Sequence, residues 1–165
     1  MIYRKRCSII FFGLLLFLGG CSIRQYETSE PKLITLKMPK LKFSDTGYIR
    51  SVGDAVEMEL FSAGRAAGRI EINRLVCVDD KGCLSKSAFN AKYLNMYYPD
   101  MIMQHILQGK PIFKRQSLHR NKIGFEQHIK NRDADIIYRV DGSQIYFKDR
   151  LNGILIKIRK ISSRQ

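Results

Sequence analysis

Apolar and polar residues alternate along much of the chain, and this period of two limits the fold more than any other feature. Val56, Met58 and Leu60 alternate with two glutamates, and the alternation returns over residues 70–78. Successive side chains of a strand point to opposite faces, so the pattern predicts strands with one buried face. Residues 62–68, between these strands, are rich in glycine and alanine and are expected to form a loop.

The segment Leu33–Phe43 also predicts a strand, but the parity of its apolar residues shifts at Pro39. Proline cannot donate a hydrogen bond to a strand ladder. We therefore expect an edge strand or a β-bulge at this position.

The C-terminal part of the chain has the clearest strand pattern. Four apolar stretches, at residues 123–129, 136–140, 145–147 and 154–158, are separated in part by Asp141-Gly142 and Asn152-Gly153. Such pairs favour tight hairpin turns. The sequence predicts an antiparallel meander here.

Two short helices are predicted between the strand groups. Ser85 is a suitable N-cap for a helix that ends near Leu94, and a second helix would run from Pro99 to a stop at Gly109. The predicted fold class is α+β, with a curved antiparallel sheet, a C-terminal β-meander and two short helices inserted between the strand groups. Residues 33–165 are expected to form one globular domain.

The N-terminal residues have the layout of a secretory signal peptide. Three cations at positions 4–6 precede an apolar run over residues 7–18 and then Gly19-Gly20-Cys21. A helix that spans a membrane needs about 20 apolar residues, so this run is short for a stable anchor. The alternative is a short membrane helix that is not cleaved.

The residues Leu18-Gly19-Gly20-Cys21 resemble the lipobox of bacterial lipoproteins, in which an aliphatic residue and two small residues precede the cysteine. The resemblance implies that Cys21 receives a diacylglycerol and, after cleavage before it, an N-acyl chain such as palmitate. Residues 1–20 would then be the signal peptide and residues 21–32 a lipidated tether. Ser22, in place of aspartate, implies an outer-membrane location with the domain facing the periplasm or the cell surface. No other cofactor is expected.

Besides Cys21, which would carry the lipid, two cysteines, Cys77 and Cys83, remain after cleavage. A lone close pair in an oxidising compartment is expected to form a disulfide. Free thiols are the alternative. A metal site would need further soft ligands, and the processed domain contains no other cysteine.

The chain is strongly basic, and the charge is uneven. Its net charge is +14, of which +11 remains when residues 1–20 are removed. For an exported protein, this charge favours a membrane surface, anionic lipid, lipopolysaccharide, cell wall or envelope proteins as partners, and excludes nucleic acid. No acid lies between Asp100 and Glu126. Five cations accumulate there around Phe113: Lys110, Lys114, Arg115, Arg120 and Lys122. They are candidates for binding an anionic surface, and an ordinary solvated loop is the alternative.

Catalytic and metal-ligating residues are not predicted. The chain has no nucleophile elbow, paired-histidine zinc helix or glycine-rich phosphate loop. His105, His119 and His128 are scattered along the sequence. Glu57 and Glu59 share a strand face at a spacing compatible with two-carboxylate chemistry, but alternating glutamates are also typical of a solvated strand.

The main hypothesis is a non-catalytic lipoprotein of the cell envelope that acts as a structural or interaction module. The alternative is a carrier or acceptor of an apolar ligand or lipoprotein. In outline, the predicted fold is similar to the lipoprotein carrier and acceptor proteins of the Gram-negative envelope, which place helices in an incomplete barrel. A continuous apolar cavity of several hundred Å³ under the helices would favour the carrier, and a filled core would favour the module.

Overall fold

The fold is described from a computed structural model over residues 29–79 and 81–161, where eleven strands form one antiparallel sheet. The strands are β1 (Lys32–Met38), β2 (Leu41–Val52), β3 (Ala55–Ser62), β4 (Arg65–Ile72), β5 (Val76–Val78), β6 (Gly82–Leu84), β7 (Leu118–Arg120), β8 (Gly124–Lys130), β9 (Asp135–Asp141), β10 (Gln144–Asp149) and β11 (Ile154–Lys160). Two helices, α1 (Lys86–Tyr93) and α2 (Ile102–Leu107), and a 3-10 turn (Phe113–Arg115) connect β6 to β7. The predicted signal peptide, the lipidation site Cys21 and most of the tether lie outside the described residues.

The spatial order of the strands is β6-β5-β4-β3-β2-β1-β11-β10-β9-β8-β7. The sheet is open, because β6 and β7 are edge strands. Strand β1 lies at its centre, where it pairs with β2 on one side and with β11, from the C-terminal part of the chain, on the other. For example, Leu36 on β1 lies opposite Phe43 on β2 and opposite Ile156 on β11.

The two faces of the sheet have different roles. The inner face carries the core, to which almost every strand contributes alternate apolar side chains such as Ile34, Met58 and Phe147. The helices pack on this face and contact both halves of the sheet. In α2, Gln104 donates a hydrogen bond to the carbonyl of Asp54 in the β2–β3 turn. Between the helices, Tyr98 donates one to Asp149 on β10.

Both helices begin and end near the predicted positions. The hydroxyl of Ser85 accepts a hydrogen bond from the backbone N–H of Ala88 at 3.1 Å, which confirms the predicted N-cap of α1. After α2, Gly109 adopts a φ of +63°, and a Cβ there would lie 3.2 Å from Cγ1 of Val140. Glycine therefore fits this helix end for two reasons: it adopts the positive φ without strain, and it has no Cβ to approach Val140.

The predicted α+β class is wrong, because the protein is mainly β. The helices have eight and six residues, whereas eleven strands make up most of the described chain. Several strands were not predicted. Residues 62–68, expected to be a loop, contain a turn at Ala63-Gly64 followed by half of β4. Their small, exposed side chains do not show the alternation that marks a buried face.

The prediction of an edge strand or bulge at Pro39 is also wrong. Pro39 and Lys40 form the turn of a hairpin between β1 and β2, and β1 is central. The apolar parity shifts because the chain reverses direction at this point. A proline in the turn does not have to donate to the ladder. The C-terminal meander is present, since β8, β9, β10 and β11 are neighbours in chain order.

Candidate functional site

The five cations predicted to bind an anionic surface are all exposed in the connection from α2 to β8. Lys110 follows the helix-ending glycine, Lys114 and Arg115 belong to the 3-10 turn, Arg120 ends β7 and Lys122 lies in the β7–β8 turn. We call this group the loop cations. Arg120 and Lys122 lie beside the free edge strand β7, whereas Lys110 lies over β9, where its carbonyl accepts a hydrogen bond from the Tyr138 hydroxyl at 3.1 Å.

The backbone that presents two of these cations is strained. Phe113, Lys114 and Arg115 have φ values of 45°, 51° and 70°, in the left-handed region. This conformation costs a residue other than glycine about 1 to 2 kcal/mol. Such strain persists only where surrounding contacts hold it.

Those contacts come from Gln127, a fully buried side chain on β8. Its Oε1 accepts a hydrogen bond from the N–H of Ile112 at 2.8 Å. Its Nε2 donates to the carbonyls of Ile112 and Gln116 at 3.0 and 2.7 Å. One amide therefore holds both sides of the turn, and Lys114 and Arg115 project from a fixed backbone.

Apolar groups flank the loop cations. Phe113 is half-buried and meets the ring of Tyr98 edge to face, with 6.0 Å between the ring centroids. Burial and the hydrogen bond to Asp149 raise the pKa of Tyr98, so its phenol stays protonated and donates. Ile123, beside Lys122, is 72% exposed. Sequence analysis placed Ile123 in a strand, whereas it precedes β8.

The carboxylate that ends the acid-free stretch is already paired. Glu126 bonds to Arg139, with an Oε2 to Nε distance of 3.0 Å, and contacts His128. Hydrogen bonds from Arg139, and then from His128, lower the pKa of Glu126. Its charge is therefore balanced on β8 and β9 rather than by the loop cations.

The predicted disulfide between Cys77 and Cys83 is confirmed. The two cysteines lie directly opposite each other on β5 and β6, on the outer face of the sheet. The turn between them closes with a 3.0 Å hydrogen bond from the N–H of Lys81 to the carbonyl of Val78. The disulfide therefore links the edge strand β6 covalently to β5.

The two glutamates with a spacing suited to acid–base chemistry are bound in ion pairs. Glu57 and Glu59 both accept hydrogen bonds from Nη1 of Arg50, at 2.8 and 2.6 Å. His105 is half-buried on α2, and its pKa is lowered by burial and then by Lys110 and Lys86. In residues 29–79 and 81–161, no three His, Cys, Asp or Glu side chains are placed to hold a metal ion.

Comparison of the chain with protein-family models, curated proteins and solved structures finds no match. Within the described ranges, no helix has the length and apolar character needed to cross a membrane.

The inner face under the helices is filled by side chains. Ile34, Leu36, Met58, Phe89 and Ile106 have no exposed surface. A void that admits water would give such side chains accessible surface, so the helices pack directly on the sheet. A cleft of about 300 Å³ lies on the inner face away from the helices, and the residues around it include Leu41, Leu60, Arg69 and Lys81.

A second group of cations, which was not predicted, lies on the outer face. We call it the basic face: Lys37, Lys42, Lys148, Lys157 and Arg159. They lie on β1, β2, β10 and β11, which are adjacent in the sheet. Each occupies an outward position of an alternating strand, which the sequence does show. The pairing of β1 with β11, which brings them together, has no local signal.

Proposed function

We propose that this protein is a membrane-anchored lipoprotein of the cell envelope that acts as a non-catalytic interaction module. The lipobox-like residues 18–21 support an anchor on Cys21 at the outer membrane. The Cys77–Cys83 disulfide supports export, because disulfides persist in oxidising compartments.

The filled inner face is the observation that carries the proposal of a module. A carrier of an apolar ligand needs a cavity that encloses most of the ligand surface. Here the side chains beneath α1 and α2 are fully buried against the sheet. The cleft near Leu60 has charged residues, Arg69, Asp79 and Lys81, in its lining, which suits an apolar cargo poorly.

The contact surface of the module is assigned to the loop cations. They are exposed, Arg120 and Lys122 lie at the free sheet edge, and the strained turn fixed by Gln127 presents Lys114 and Arg115. An anionic envelope component such as lipopolysaccharide or cell-wall polymer matches their charge. The exposed Ile123 adds an apolar contact beside them.

The anchor is tested by changing Cys21→Ser in the full chain. Metabolic labelling with a palmitate analogue should label the unchanged protein and not the variant, which should also retain residues 1–20. A variant that still incorporates the label, or a processed N-terminus at another residue, would contradict the anchor.

The contact surface is tested with two triple variants of the chain without residues 1–21. Changing Lys114, Arg115 and Arg120 to Gln should weaken binding to lipopolysaccharide by about 100-fold, since each surface cation contributes about 1 kcal/mol. The matched control changes Arg65, Arg74 and Lys81, three exposed cations at the other end of the sheet. Equal losses in the two variants would show that only net charge matters.

A further inference from the structure

The outer surface of β2, β1, β11 and β10 carries positive charge without acids. The strand registers place Lys42 opposite Lys37, Lys37 opposite Leu155, and Leu155 opposite Lys148. Neighbouring strands lie about 4.8 Å apart, so these four side chains form a row about 14 Å long that contains three lysines. The next rows along the strands contain Lys157 and Arg159.

Among the residues that the structure describes, no carboxylate shares this surface. The other outward residues of the four strand segments are neutral: Leu33, Thr35, Ser44, Thr46, Gln144, Tyr146 and Leu155. Asp45 and Asp149 belong to the same strands but point to the inner face. In the part of the chain that the structure describes, none of the five cations of the basic face forms an ion pair.

This arrangement opposes folding. Like charges placed directly opposite each other on a sheet, such as Lys37 and Lys42, are destabilising. A surface that meets only water usually mixes both signs of charge. The negative charge of an anionic partner would attract each of these cations and so offset the repulsion between them.

The shape and composition of the surface favour a lipid bilayer as that partner. The basic face is spread over four strands, whereas a linear polyanion is usually held in a groove. Leu33 is 37% exposed, and Leu155 and Tyr146 are half-buried among the cations. Lysine and arginine stems cover apolar surface while their charges stay in the polar layer, and tyrosine is enriched at the headgroup level.

The position of β1 adds an independent argument, which rests on the proposed anchor. Strand β1 begins at Lys32 and runs through the middle of the basic face. Lys32 is eleven positions after Cys21, and a fully extended chain of that length spans at most about 40 Å. The tether thus enters the domain at the basic face and limits the distance between the domain and the membrane.

We propose that the basic face lies against the anionic lipid headgroups of the membrane that carries the anchor. The outer face of β1, β2, β10 and β11 then contacts lipid. The loop cations, which lie in the connection from α2 to β8, remain available for a different component.

The test is lysine acylation of the full chain, isolated from a lipoprotein-processing bacterium. The protein is reconstituted in vesicles of phosphatidylcholine alone or with phosphatidylglycerol. Mass spectrometry should show Lys37, Lys42, Lys148 and Lys157 reacting about five-fold more slowly on the anionic vesicles, the factor that about 1 kcal/mol per cation gives. Lys81 and Lys92, exposed elsewhere, serve as internal controls. The protection should disappear at about 1 M salt, where the Debye length falls to about 3 Å.

Each other result has a definite meaning. Equal protection on neutral vesicles, protection of Lys114 and Lys122 alone, or no protection at all would overturn the proposed membrane contact. So would protection by soluble polyphosphate without protection by vesicles, which would identify a polymer site. If the chain fails to float with neutral vesicles but its basic-face lysines are protected on anionic ones, the contact stands and the Cys21 anchor fails.

Discussion

Two parts of the outer face of the sheet differ in whether their charged side chains are paired. On β2, β3 and β4, the side chains of Arg50, Glu57, Glu59, Arg69 and Glu71 form a continuous set of ion pairs, which we call the paired region. On β2, β1, β11 and β10, the basic face has cations alone. Both parts belong to one antiparallel sheet and show the same alternation along their strands. The comparison shows that the period of two determines which side chains point outward but leaves their charges undetermined.

The contrast is sharpest at Glu57. Although this glutamate points outward, only 7% of it is exposed, because Arg50 and Arg69 cover it. Its charge is balanced within the domain. The lysines of the basic face have no such cover, so their charge is available to an external partner.

The largest expected effect comes from Arg50→Met in the paired region. The change leaves Glu57 and Glu59 without their shared donor. We expect the free energy of unfolding to fall by about 2 to 3 kcal/mol, less than the roughly 3 to 5 kcal/mol for a fully buried pair, because Arg50 is partly exposed. Urea denaturation at neutral pH measures it. Lys42→Met is the matched change in the basic face and should cost nothing, since it removes a like-charge neighbour. If both variants lose equal stability, the two regions do not differ as described.

A slightly smaller effect is expected from the double change Cys77→Ala and Cys83→Ala. The disulfide closes a short loop, and its loss should lower the free energy of unfolding by about 2 kcal/mol. The paired region ends near this edge, where Arg69 also reaches Asp79 at 3.7 Å. Chemical denaturation should therefore show a weakened but folded protein. Two alkylatable thiols in freshly isolated protein would contradict the bond itself.

The smallest effect, and one of opposite sign, is expected from Lys114→Gly in the strained turn. Glycine adopts the left-handed conformation without steric cost, so the free energy of unfolding should rise by about 0.5 to 1 kcal/mol. Binding to lipopolysaccharide should weaken at the same time. This combination would show that a cation is kept at a strained position for contact rather than for stability. A loss of stability would mean that the lysine side chain contributes to the fold.

Local signals explain what the sequence predicted correctly. The hairpin after Asp141, the N-cap Ser85 and the disulfide each depend on residues close in sequence. The turn of that hairpin is Gly142-Ser143 and not the predicted Asp141-Gly142, because Asp141 still belongs to β9. Non-local pairing explains the failures. Nothing near Leu36 indicates that Ile156 is its neighbour, so the central position of β1 and the basic face were both missed. The hydrogen bonds from Gln127 to the 3-10 turn were also not predicted, because nothing in the sequence pattern indicates that this glutamine is buried.

The pairing of β1 with β11 also determines when the protein can finish folding. During synthesis β1 emerges early, but the strand that must lie between β1 and β10 is the last to appear. Until residues 154–160 are available, the sheet consists of two unconnected halves, and the side chains of β1 lack half of their neighbours. Contacts between such distant residues also slow folding. The two halves of the sheet can therefore be joined, and the core completed, only after β11 has been synthesised.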